Sequence, residues 1–367
     1  MQYILGVLLL FLMSCAQMRS KIETPKKNEN LFRVSWIKNL DPVYNSGNLP
    51  IGTSSPFIFE DIVYMGDLSG SMNAFDINSG KLIWSASEGQ TIQSRVNKVS
   101  EYIYYGSIDG RFYSRHYLTG KLNYAVDLGS PIESQPIYSS GRMIIHLRNH
   151  TIITLDAKTG KIFWRYQRSI PYTTTLQRVS EVYPLDNNII VGFADGNLVS
   201  LSIEEGIINW EQKLSTGVKF VDVDVTPVLF GKYLVAGSAA GPIRFVNTTN
   251  GLIEKTLEFT QSHTALIHND ELIVGSTDGI IYRIDQYGKI ISQKQVSNEA
   301  ISSIVKWKGA LAVTTMGESI YLVDGEDFTE KAHFSLGSDQ SAIFGTATVS
   351  GEYLSVYSSR NRLYLFK

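Results

Sequence analysis

The chain has 367 residues, 43% of them apolar and 19% charged, the composition of a globular protein long enough for several domains or for one repetitive one. Its formal net charge of −2 gives no basic field that could hold nucleic acid by counterion release, so nucleic acid is excluded as a partner on charge. With a single cysteine, Cys15, no disulfide within the chain and no thiolate-built zinc cluster can form.

The first segment is an apolar run from Ile4 to Met13, too short to span a bilayer comfortably as a helix but suited to the apolar region of a secretion signal. Leu12-Met13-Ser14-Cys15 ends it and resembles a bacterial lipobox, in which the cysteine is lipidated and becomes the mature N-terminus. Met13 is uncommon at its position and no Lys or Arg precedes the run, so an ordinary cleaved signal with an incidental cysteine stays open. The lipobox resemblance implies a signal peptide over residues 1–14 and three acyl chains on Cys15, where more than one chain gives stable anchoring at about 0.8 kcal/mol per buried CH₂. Ala16, where Asp would favour inner-membrane retention, implies the outer membrane. Residues 15–30, polar and Lys-rich after the cysteine, read as a flexible tether.

From residue 31 onward one unit repeats. Its marker is a hairpin turn of a small or polar residue followed by Gly: Ser69-Gly70, Asp109-Gly110, Asp195-Gly196, Ala240-Gly241 and Asp278-Gly279. Asn149-His150, Gly317-Glu318 and Arg360-Asn361 hold the same place in weaker form. The spacing, about 40 residues, is that of a propeller blade. An apolar strand such as Ile189-Ile190-Val191-Gly192 precedes each turn and an alternating one such as Ile281-Tyr282-Arg283-Ile284 follows it. A second turn comes next, with Gly80, Gly120, Gly160, Gly206, Gly251 and Gly288, then a strand that often carries an aromatic: Trp84, Tyr124, Trp164, Trp210. These tryptophans read as core. In the seventh unit Thr314-Thr315-Met316 replaces the Gly-bearing strand end and Phe328 falls at the second-turn glycine, but Ser319 to Asp324 keeps the pattern.

The two ends complement each other. The last unit stops at Leu363-Tyr364-Leu365-Phe366-Lys367 without a fourth strand, whereas Leu31 to Trp36 matches a Trp-bearing fourth strand with nothing before it. Pairing them gives an all-β, eight-bladed β-propeller over residues 31–367, closed by its N-terminal strand, with no open seam.

Asp156-x-x-Thr-Gly-Lys-x-x-x-Trp164, echoed at Asp76 to Trp84, resembles the PQQ-like repeat family. That resemblance invites a quinoprotein dehydrogenase. Such enzymes bind the quinone and Ca²⁺ on the axis, use a catalytic Asp, and in many cases carry a disulfide of adjacent cysteines. No second cysteine is present, the cofactor-binding segments find no match, and blades of about 40 residues leave no long loops for a pocket. No cofactor and no catalytic residues are therefore expected. The chain also lacks a P-loop, a His-Glu-x-x-His and a Gly-x-Ser-x-Gly. His146 and His150 straddle a predicted hairpin turn and read as solvated loop residues, not a metal pair.

In Val221-Asp222-Val223-Asp224-Val225-Thr226-Pro227, extended backbone would put both carboxylates on one side, where they prefer solvent or a cationic partner. A solvated strand entrance near the rim accounts for the segment on its own terms. Taken together, the lipobox and eight PQQ-like blades resemble the BamB family of outer-membrane lipoproteins. The resemblance implies a non-enzymatic scaffold in barrel assembly, on the periplasmic face of the outer membrane. The same resemblance implies binding to a POTRA domain of BamA, with unfolded barrel precursors as further partners. Family contact segments map onto Asp222 and Asp224 ahead of Thr226-Pro227 and, more loosely, onto Leu176-Gln177-Arg178, where Thr174 departs from the Leu-x-Leu-Arg pattern. The implied roles are charge pairing by Asp222, Asp224 and Arg178, with Leu176 as an apolar anchor. A generic periplasmic propeller with another protein partner fits the same repeats.

Overall fold

A computed structural model of the chain describes residues 31–42, 53–170, 179–215, 221–238, 240–337 and 341–367. They form eight four-stranded antiparallel sheets. Seven are consecutive in sequence, at 57–87, 97–127, 137–167, 183–213, 228–257, 266–295 and 301–335. The eighth joins residues 348–366 to the N-terminal strand Val34–Asn39. Within a blade the second and third strands are buried on both faces, as in Ile62–Gly66 and Thr151–Asp156, which is why they read as near-continuous apolar runs. The fourth, outermost strand alternates half-buried and exposed residues, as in Ile162–Gln167.

Turn chemistry explains the repeat motif. The Asp76 carboxylate accepts hydrogen bonds from the Ser79 amide at 2.7 Å and the Ser79 hydroxyl at 2.6 Å, which hold its pKa below the usual carboxylate range. Gly80 then adopts φ 65°, and its amide donates to the Asp76 carbonyl at 2.8 Å. Asp156, Thr159 and Gly160 repeat the arrangement.

Glycine here also serves the neighbouring blade. A Cβ on Gly80, Gly120, Gly206 or Gly251 would collide with the indole of Trp36, Trp84, Trp164 or Trp210 from the preceding blade. Each indole nitrogen donates to a backbone carbonyl of the next blade: Trp36 to Ile77 at 2.8 Å, Trp84 to Tyr117 and Trp164 to Ile203 at 2.9 Å, Trp210 to Thr248 at 3.2 Å. Trp84, Trp164 and Trp210 are half-buried at these joints and pack against the core between neighbouring blades, as the repeat pattern implies. The joint needs one aromatic face covered and the N–H satisfied, which an outer strand provides.

Around the axis the inner strands are knitted by hydrogen bonds between blades. The Ser262 hydroxyl donates to the Ile301 carbonyl at 2.5 Å, the Ala347 amide to the Ser303 hydroxyl at 3.1 Å, and the Thr348 hydroxyl to the Pro56 carbonyl at 2.6 Å. The last of these joins the eighth blade to the first.

Closure takes the expected form with a shifted register. Val34 faces Phe366, a bulge follows, and Trp36 to Asn39 face Leu365 to Arg362. The Lys367 amide donates to the Arg33 carbonyl at 2.7 Å and the Leu40 amide to the Asn361 carbonyl at 2.8 Å. The pairing thus begins about three residues later than Leu31 and runs beyond Trp36. Phe32, 3% exposed, packs its ring against Trp307, Phe334 and Phe366. Losing the burial of Phe32 or Trp36 alone costs about 3–5 kcal/mol by analogy with large-to-small core changes. Deleting residues 31–40 is therefore expected to lower the melting temperature by more than about 10 °C, whereas deleting residues 16–30 leaves it unchanged, as read by circular dichroism on both truncations.

Candidate interaction face

The turns between second and third strands share one face of the ring with the connections from one blade to the next. The longest connections span 40–56, 168–182, 214–227 and 336–347. Of the residues singled out by sequence, Cys15, Leu176 and Arg178 lie outside the described residues. Asp222 and Asp224 are described, and they correct the expectation of a solvated strand entrance: they are 1% and 5% exposed. The cause is the valines between and around them. Val223 sits over Gly192, where any Cβ would collide with it, and its amide donates to the Phe193 carbonyl at 3.1 Å. Anchoring Val223 draws both neighbours inward, and Val221 and Val225 are buried too.

Asp224 lines a cavity on the ring axis of about 1140 Å³, together with Arg95, Glu133, Glu181, His263 and Lys306. Burial pushes the carboxyls of Glu133 and Glu181 up from the usual range, against the opposing pull of Arg148 and Arg95 respectively. Arg148 pairs with Glu133 at 3.3 Å. Among the described residues no group of three or more His, Cys, Asp or Glu side chains is placed to hold a metal ion.

Beside the Asp222–Thr226 segment lies a joint built around two buried histidines. Four of the eight second strands end in glycine, at Gly66, Gly106, Gly192 and Gly275; Ile92 and Ile132 enter at the first two, and Ile301 with His263 at the last. The third blade ends instead in His146. His146 and His150 are 0% and 4% exposed, so they are not the solvated loop residues their position suggested. Both rings meet Phe193, with centroids 5.3 and 6.4 Å away, and lie 5.8 Å from one another. Nδ1 of His146 donates to the Ser180 carbonyl at 2.9 Å. Burial pulls its pKa down to about 3, the Ser180 bond opposing and His150 adding slightly. At the outer end of the joint Arg168 bonds Asp195 and Glu211 and lies 5.2 Å from the Phe193 ring centre. Those bonds outweigh the effect of burial and hold the guanidinium above the usual arginine range. In sequence, the one signal of this joint is the glycine missing from position 146.

A family model described as "Outer membrane protein assembly factor BamB" matches residues 68–295. The protein of that name from Yersinia pestis is 23% identical over 332 residues, covering 83% of this chain and 81% of its own length. The crystal structure of BamB from Moraxella catarrhalis superposes with a TM-score of 0.77 at 18% identity, covering 92% of this chain and 99% of that one. A europium-containing methanol dehydrogenase superposes with a TM-score of 0.71 at 12% identity over 94% of each chain, a likeness of fold alone.

His146 has a measurable consequence. Its folded pKa lies below the unfolded value of 6.5, so the unfolded chain binds the extra proton first. The neutral ring's contribution is complete above pH 6.5 and is lost as pH falls toward 3. His146→Asn removes that titration. The stability of wild type is expected to fall more steeply than that of the variant between pH 6 and 4, by up to about 1.4 kcal/mol per pH unit, in urea melts across that range.

Proposed function

The chain belongs to the BamB family of outer membrane protein assembly factors, and from that premise we propose that it is a non-enzymatic scaffold that binds a POTRA domain of a BamA-like protein and aids the folding and insertion of outer-membrane proteins. The family match across the propeller, with Asp222-x-Asp224-x-Thr226-Pro227 in place, carries the reading. The contact surface is the face of the inter-blade connections around the third to fifth blades, with Leu176 as apolar anchor and Arg178 as charged partner. Flat interaction faces draw most of their energy from a few such anchors.

The burial of Asp222 and Asp224 changes the role first expected of them. With 1% and 5% exposure, they offer a partner little surface directly. In this reading Asp224 acts through the axial cavity that it lines, and Asp222 lies buried beside it. The charge then acts through its field. A rim-exposed ion pair would contribute less, typically about 0–1 kcal/mol.

Lipidation at Cys15 would hold the ring at the periplasmic face of the outer membrane. The closing strand enters beside Phe366, on the face opposite the inter-blade connections, so a tether over residues 15–30 joins the ring away from the contact surface. Unfolded barrel precursors are further candidates for contact, through strand addition at blade edges. An enzymatic reading draws only on a shared fold, and folds host unrelated functions.

Asp222→Asn with Asp224→Asn keeps volume and removes both charges. Affinity for the purified periplasmic region of BamA is expected to drop by about tenfold or more, with the circular dichroism spectrum unchanged. Unchanged affinity in a folded double variant would remove both residues from the contact. Failure to recover a BamA-like protein by affinity purification from solubilised membranes would turn the assignment toward a propeller with another partner.

A further inference from the structure

We propose that His146 is a positioning residue for the contact face, fixing the chain at Ser180 and, through it, the segment that carries Asp222 and Asp224. The inference rests on the reading of that face as the partner surface.

The starting observation is the changed joint. At the ends of the second strands of the first two blades an isoleucine of the following connection enters the space a glycine leaves, Ile92 at Gly66 and Ile132 at Gly106. Each of these isoleucines stands two residues before a serine, Ser94 or Ser134. The serine binds back to the strand end of its own blade: Ser94 donates to the Gly106 carbonyl at 3.1 Å and accepts from its amide at 2.7 Å. Before Ser180 the corresponding sequence position is Arg178. On the third blade the receiving position is His146 in place of glycine. The imidazole fills the space from the other side of the joint, and a directional hydrogen bond to Ser180 stands where the joints at Gly66 and Gly106 have an isoleucine.

That bond fixes the ring's protonation as well as its place. A carbonyl only accepts, so Nδ1 carries the proton and Nε2 is the bare nitrogen, buried with no hydrogen-bond partner among the described residues. From Ser180 the connections continue across two blades. The Ser180 hydroxyl donates to the Gly192 carbonyl at 3.1 Å and accepts from the Gly192 amide at 3.0 Å. Gly192, lacking a Cβ, lets Val223 seat, and the Phe193 carbonyl takes the Val223 amide at 3.1 Å. A second link runs from the Glu181 amide to the Thr226 hydroxyl at 3.1 Å. His146 in the third blade thus braces Ser180 and Glu181 at the entry to the fourth, and these brace Val223 and Thr226 at the entry to the fifth. Asp224 lies between those two anchored residues.

Two variants of the full chain separate positioning from space-filling. His146→Leu fills the cavity without a donor, and His146→Asn keeps an N–H donor near the Nδ1 position. In the free protein, His146→Leu is expected to speed amide hydrogen exchange at Glu181 and Val223 and to weaken binding to the purified periplasmic region of BamA by about tenfold. His146→Asn should match wild type in both measurements. Wild-type exchange in His146→Leu, or equal impairment in the two variants, overturns the proposal. Thr226→Val probes the brace from its far end should His146→Leu not fold; it should speed exchange at Glu181, and an unchanged rate there also overturns the proposal. If wild type itself does not bind the BamA region, the partner reading fails, while the exchange contrast still decides the brace.

Discussion

The ring depends on the joint between blades. A single four-stranded sheet of this kind has two apolar faces and no core of its own, so each blade is stable only between two others. The joint is therefore where side chains are least free to vary. Its outer lock is an indole laid on a glycine turn with its N–H donated to a carbonyl of the next blade, and the Trp36–Gly80 and Trp84–Gly120 pairs show both parts of it. The glycine removes the Cβ that would push the blades apart, and the hydrogen bond sets the ring at one height. Closure extends the same lock across the chain ends, since the first of these indoles sits on the N-terminal strand.

Where the lock loses a partner, the neighbouring position changes with it. In the fifth blade Lys255 takes the place of the indole, lays its stem on Gly288 and donates to the Tyr287 carbonyl at 3.0 Å. In the seventh blade the turn glycine is Phe328, which accepts a φ of 56° and is 1% exposed among Ile273, Ile281 and Val313. The preceding blade offers Ser292 at the indole position, and the large side chain is supplied from the other side of the joint. A left-handed phenylalanine is strained, and here its burial offsets the strain.

The same reciprocity explains what could be read in advance. Turn glycines, indoles and incomplete ends are local signals with fixed spacing, so blade number and closure were legible. Register at the seam was not, because a bulge between Val34 and Trp36 moves the pairing without altering the apolar pattern. The exposure of Asp222 and Asp224 was misjudged because alternation says which residues share a side and nothing about what covers that side. The cover depends on Gly192, about thirty residues away in sequence, accepting Val223. His146 was misjudged for a related reason: next to a turn it looks solvated, but it stands at a position every neighbour needs filled.

Two consequences of blade geometry bear on how such a ring is used. The closing strand must run antiparallel to Arg362–Phe366, so its first residues leave the ring on the face opposite the inter-blade connections. Any tether before residue 31 inherits that side. The connections meanwhile can grow in length without disturbing a lock, since they lie outside the four strands. A face assembled from long connections can therefore diversify for a partner while the ring keeps its closure, provided something holds those connections in register. At the joint of the third and fourth blades that condition falls on the imidazole of His146. A directional bond to one backbone carbonyl takes over what the packed isoleucines do at Gly66 and Gly106.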